Sequence, residues 1–129
     1  MRLDAVPAAR LDELAAALTS ARRASRLVNE ALKDEGLREE HWRILRALGN
    51  SHGLMMSEIA QGLVLPPATT TRLVDDLLDR SLVFRQSSPA DGRQAIAYLS
   101  RLGEECLGRS EALISARLDG TLSLDPGSI

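Results

Sequence analysis

The sequence carries one cysteine, Cys106, and three aromatic residues, Trp42, Phe84 and Tyr98, in 129 positions. A single thiol permits no disulfide within the chain, which points to a reducing, cytoplasmic setting. With aromatics at 2%, the core has to be filled by Leu, Ala and Val, as in helical proteins. No apolar run is long enough to cross a bilayer. The start, Met-Arg-Leu-Asp-Ala-Val-Pro, has no apolar stretch of the kind that directs secretion. Catalytic signatures are missing as well. There is no glycine-rich phosphate loop, no nucleophile elbow and no His-Glu-x-x-His pair. His41 and His52 lack metal-ligand spacing, and the acids scattered along helix faces read as solvated charge. The expectation is a protein that is not an enzyme and takes no metal or cofactor.

Hydrophobic residues make up 44% of the chain, enough for a core, and the length fits one domain. The formal net charge is −2, so binding to a polyanion would have to use local positive charge and helix ends. Residues 8–34 read as a long helix, because Leu11, Leu14, Ala15, Leu18, Ala21, Leu27, Ala31 and Leu32 recur at helical spacing. Pro7 suits its first turn and Gly36 its stop. An apolar face this long is expected to pack on a second copy of the chain; the alternative is that it lies across its own domain.

Residues 38–48 predict a second helix with Trp42, Leu45 and Leu48 inward, broken by Gly49, Asn50 and Gly53. A short helix is expected to start at Ser57 as N-cap, with Ile59, Ala60 and Leu63 buried. Pro66 holds Leu65 extended and Pro67 suits the first position of the next helix, which runs to about Arg80. Thr70, Leu73, Val74 and Leu77 share its inner face. Ala68, Thr69, Thr71, Arg72 and Asp75 are left for a partner. Residues 82–88 and 94–99 predict two strands around Pro89-Ala90-Asp91-Gly92-Arg93. Ser100 then caps a last helix carrying Leu102, Cys106, Leu107, Leu113, Ile114 and Leu118, and the tail from Gly120 is irregular.

A short helix, a tight turn, a second helix with a small, polar start and a hairpin tipped by an arginine form a unit that reads duplex DNA. Thr69 and Thr71 are candidate phosphate or base contacts. Arg72 lies on the outer face, where it meets DNA or pairs with Asp75 or Asp76 one turn on. Arg85 is a candidate phosphate contact or a solvated strand residue. Arg93 follows Asp-Gly, a turn signal that projects the next side chain outward.

These pieces, in this order, resemble the MarR-type (multiple antibiotic resistance regulator) winged helix-turn-helix family. The likeness rests on Ile59-Ala60 followed by Leu63, Thr69 to Arg72, Leu82-Val83-Phe84-Arg85, Asp91-Gly92-Arg93 and Leu99-Ser100-Arg101-Leu102-Gly103. It spans roughly residues 8–118. It implies a mainly α fold with a small β-hairpin wing, one domain over 1–129, terminal dimerisation helices and tail at 8–34 and 100–129, and a DNA-binding lobe at 35–99. It further implies a homodimer on double-stranded DNA, a ligand-responsive repressor. Ala68, Thr69, Thr71 and Arg72 would meet the major groove and Arg93 the minor groove, while Asp91 orients the wing by pairing with Arg72 or Arg93. The chain departs from the pattern at Gly92, where many members carry a further arginine, at Ser81 in place of glycine, and at Pro66 in place of a Ser or Thr cap. Its end at Ile129 falls about where the family's final dimerisation helix begins.

The resemblance places a pocket for a small aromatic or anionic effector where the first helix meets the second and fifth. Arg22, Arg23, His41, Trp42 and Arg46 are its candidates, with Trp42 as core and the arginines as solvated charge the competing reading. Two other functions stay open: a redox-responsive regulator acting through Cys106, and a winged protein-interaction module that does not bind DNA.

Overall fold

The computed structural model describes residues 6–88 and 94–120. Helix α1 spans Ala8–Ala31. It gives way to a 3-10 turn, Lys33–Glu35, so the α-helix ends three residues before the predicted 34. Gly36, left-handed at φ 69°, turns the chain out of it. Helix α2 spans Glu39–Gly49. Its free N-terminal N–H groups find side chains from outside the helix and from its own first turn: Glu39 N–H donates to Asn29 Oδ1 at 2.7 Å, and Arg38 N–H donates to His41 Nδ1 at 3.0 Å.

A two-residue strand, β1 (Leu54–Met55), precedes helix α3 (Met56–Leu63). The predicted cap at Ser57 is therefore corrected. The N-cap is Met55, whose N–H donates to Glu58 Oε1 at 2.8 Å, the back-reaching half of a capping box. Helix α4 spans Pro67–Asp79, with Pro66 as N-cap and Pro67 at the first position. Strands β2 (Val83–Ser87) and β3 (Ala95–Leu99) and helix α5 (Arg101–Asp119) complete the described chain. Ser100 caps α5, accepting from Gly103 N–H at 3.0 Å while its own hydroxyl donates to Ser81 O at 2.7 Å.

The sheet is antiparallel in the order β1-β3-β2. Leu54 and Met55 pair with Ala97 and Ile96. Gly53 permits this. At φ 107° a Cβ there would lie 2.5 Å from the Tyr98 ring, so a side chain is excluded. On the wing, Phe84 pairs with Tyr98 and their rings stack at 5.2 Å.

The core runs through the lobe. Leu32, Ile44, Leu45, Val74, Leu77 and Ala97 are wholly buried. Helix α5 enters this core through Cys106 and Ile114 and is tied to the α1 end by Arg109–Glu35 and Arg117–Glu30. Leu11, Leu14 and Leu18 on α1, and Leu102, Leu113 and Leu118 on α5, stay exposed. None of the described helices is long and apolar enough to cross a membrane.

Candidate nucleic-acid interface

Helices α3 and α4 are joined by Val64, Leu65 and Pro66. Val64 adopts φ 55°, ψ 55°, a left-handed conformation that ends α3 in a single residue. Pro66 and Pro67 then restart the chain at a new angle, because each fixes φ and neither offers an N–H to continue α3. Thr70, Leu73, Val74 and Leu77 anchor α4 to the core, with Thr70 at 1% exposure. Opposite that face, Ala68, Thr71, Arg72 and Asp75 are exposed, and Thr69 is half-buried at its edge.

The polar groups of this surface are sorted by their partners. Thr70 Oγ1 donates to Pro66 O at 3.0 Å and Thr71 Oγ1 to Pro67 O at 3.1 Å, so both hydroxyl hydrogens are engaged by the helix itself. Asp75 is held by Arg85 across the start of the wing. Asp76 Oδ2 lies 3.2 Å from His41 Nε2. Since His41 Nδ1 accepts the Arg38 N–H, the neutral ring carries its hydrogen on Nε2 and donates it to Asp76. Arg80, at the end of α4, donates to Glu35 O and Gly36 O. Arg72 is exposed and makes no ion pair among the described residues. Ser81, at φ 60°, makes the left-handed exit from α4 that the sequence leaves to a non-glycine residue.

Of the seven candidate DNA-contact residues, the fold sets Ala68, Thr69, Thr71 and Arg72 together on α4. Arg85 stands beside them on β2, turned toward Asp75. Asp91 and Arg93 lie outside the described residues.

The five candidate effector residues are not brought together. His41 and Trp42 are adjacent in α2, so their side chains diverge by about 100°. His41 turns to α4. Trp42 turns to α1 and α5, where its Nε1–H donates to Glu111 Oε2 at 3.1 Å, an oxygen shared with Arg46. Arg22 opens onto a different groove beside Arg26, Lys33 and Arg38, and Arg23 is half-buried. What lies between α1 and α2 is a cavity of about 320 Å³ lined by Ser25, Val28, Glu39, Trp42 and Arg43 among others.

Glu39 and Glu111 were not singled out from the sequence. The signal was there in helical phase, because Glu39, Trp42, Arg43 and Arg46 recur at three- and four-residue spacing on one face of α2. Burial pushes the Glu39 carboxyl above its usual range; Glu40 adds to this, and Arg43 opposes it. Cys106 is wholly buried, its Sγ 4.0 Å from Ser110 Oγ. Among the described residues no three metal-ligating side chains converge.

Residues 35–94 match the model of the MarR family. No curated protein matches the chain by sequence. Among solved structures, apo MarR from E. coli is similar at TM-score 0.75 and 21% identity, over 88% of this chain and 80% of that one. A MarR-family regulator from Rhodococcus sp. RHA1 aligns at TM-score 0.74 and 23% identity, over 88% and 79%. CouR from Rhodococcus jostii RHA1, solved with p-coumaroyl-CoA bound, aligns at TM-score 0.68 and 26% identity, over 75% and 68%. The helix-turn-helix, the wing strands and the match to the MarR family model all fall on the same lobe, and the chain has the mainly α winged helix-turn-helix fold of the MarR-type structures it resembles.

Proposed function

We propose that this chain is a cytoplasmic, homodimeric repressor that binds double-stranded DNA and releases it on binding a small aromatic or anionic effector. The observation that carries DNA binding is the outer surface of α4. Ala68, Thr71 and Arg72 stand uncovered beside the wing, Asp75 is paired with Arg85, and Asp76 accepts a hydrogen bond from His41. In a chain of net charge −2, Arg72 is then the positive charge offered at the centre of this surface. Two such surfaces, about 34 Å apart in a dimer, would enter successive major grooves. The exposed leucines of α1 and α5 supply the apolar contact for that dimer. Arg93 is proposed to reach the minor groove, and Asp91 to orient the wing.

The effector reading draws on the cavity beside Trp42 and on CouR, whose bound ligand carries an aromatic acyl group. Trp42 supplies the flat wall. Arg46 lies close by through Glu111, and the anchoring charges nearest the cavity are Glu39 and Arg43. Release requires that the effector prefer a dimer geometry whose reading helices no longer match the grooves.

The test is binding to a pool of duplex DNA between 50 and 200 mM salt. Affinity should fall by at least tenfold across that range, and Arg72→Ala and Arg93→Ala should each weaken binding and flatten the salt slope by about one unit. Absence of binding at low salt overturns the reading.

A further inference from the structure

We infer that the first turn and a half of α4 recognises thymine through its C5-methyl group, with Arg72 fixing a guanine nearby. The inference rests on the DNA-binding reading above and concerns what that surface can distinguish. Hydrogen-bond donors are scarce there. Pro66 and Pro67 have no N–H. Ala68 presents only a methyl, and the Thr71 hydroxyl hydrogen is given to Pro67 O at 3.1 Å, which leaves the Thr71 methyl as its uncommitted donor-free surface. Among the described residues, the one threonine hydroxyl of this turn without a helix carbonyl partner is that of Thr69, half-buried at the edge.

Carbon therefore faces outward at Ala68 and Thr71, both exposed. In the major groove the base-edge feature that alanine and threonine methyls match is the thymine C5-methyl, which the other bases lack. One turn further on, the chemistry changes. Arg72 is exposed and makes no ion pair among the described residues, and its forked donors match guanine O6 and N7. Asp75, the next outward position, is neutralised by Arg85. Ala68 and Arg72 are separated by about 6 Å along the helix axis, about two base steps of 3.4 Å. The expected half-site thus holds one or two thymines within two or three steps of a guanine.

The experiment uses the full chain. Duplexes retained from a random pool define the bound site, and each of its thymines is then replaced by deoxyuridine, which removes the methyl and keeps base pairing. One or two replacements near a guanine should each weaken binding about fourfold, the value of one buried carbon group. Thr71→Ser keeps the hydroxyl and its bond to Pro67 O but lacks the methyl. In that variant and in Ala68→Gly, one of the sensitive thymines should become indifferent to deoxyuridine. The replacement series on the parent protein stands whether or not the variants fold. Uniform tolerance of deoxyuridine overturns the thymine inference and leaves DNA binding intact, whereas failure to retain any duplex at low salt overturns both.

Discussion

Leucine has two fates in this molecule. In the lobe, Leu32, Leu45 and Leu77 are completely buried, whereas on α1 Leu11, Leu14 and Leu18 keep 55–58% of their surface in water. All sit at helical spacing in α-helices or at their edges. The lobe closes its apolar faces within one chain because α2, α4, the sheet and α5 surround a common centre. The first half of α1 extends past that centre, and among the described residues nothing covers its leucines. Apolar periodicity therefore reports that a face is to be covered, and leaves open by which chain.

The contrast breaks most visibly at Leu45. Leu45→Ala should lower the stability of the folded chain by about 2–5 kcal/mol, the range for emptying a packed leucine site, read from thermal or urea unfolding. A loss under 1 kcal/mol would mean that the lobe core is not the rigid centre described. On α1, Leu14→Glu with Leu18→Glu should leave the lobe folded but weaken self-association by more than about 100-fold, since each leucine contributes about 1.5 kcal/mol or more when covered. Sedimentation equilibrium measures this directly, and an unchanged dissociation constant would remove α1 from the proposed dimer interface.

Backbone conformation sharpens the same contrast on a smaller scale. Gly53→Ala puts a Cβ against the Tyr98 ring at φ 107° and should cost about 1–3 kcal/mol, with the loss of β1 pairing visible in amide exchange at Leu54 and Met55. Val64 is the opposite case, a β-branched residue at φ 55° that is 87% exposed. Its side chain buries almost nothing, so Val64→Gly removes strain and should stabilise by about 1 kcal/mol. A destabilised Val64→Gly variant would show that stiffness of the α3–α4 turn outweighs its strain.

How far the sequence could be read follows from the range of the forces involved. The inner face of α4, the restart at Pro66-Pro67, the Ser100 cap and the paired wing strands are local, written in periodicity and in single residues with one conformational use. Strand β1 was missed because two residues have no period, and its pairing depends on β3, some forty positions away. The hydroxyl of Ser57 suits a cap, but Glu58 reaches back to the Met55 N–H and moves the cap two residues earlier. Arg85 and Asp75, and His41 and Asp76, could not be matched from sequence, since each pair joins two elements whose relative placement is tertiary. The effector candidates failed to converge for a more elementary reason. The resemblance names both His41 and Trp42 for one pocket, but they are adjacent in α2, and a helix sends adjacent residues to different faces.

The smallest expected effect concerns Glu39, on the boundary between the two regions, where α1 meets α2. Its carboxyl is raised by burial, with Glu40 adding and Arg43 opposing. An acid whose folded pKa lies above its unfolded value binds its proton more tightly in the folded state. Folding then bears a penalty for the charged form that is absent below the unfolded pKa, near 4.3, and develops as pH rises through the folded value. Glu39→Gln removes that charge while the Glu39 N–H to Asn29 bond, a backbone contact, persists. The variant should melt slightly higher than the parent at pH 7, and the difference should shrink toward zero below about pH 4. If Glu39→Gln melts lower at pH 7, attraction to Arg43 outweighs desolvation, and the α1–α2 junction is held by charge and not strained by it.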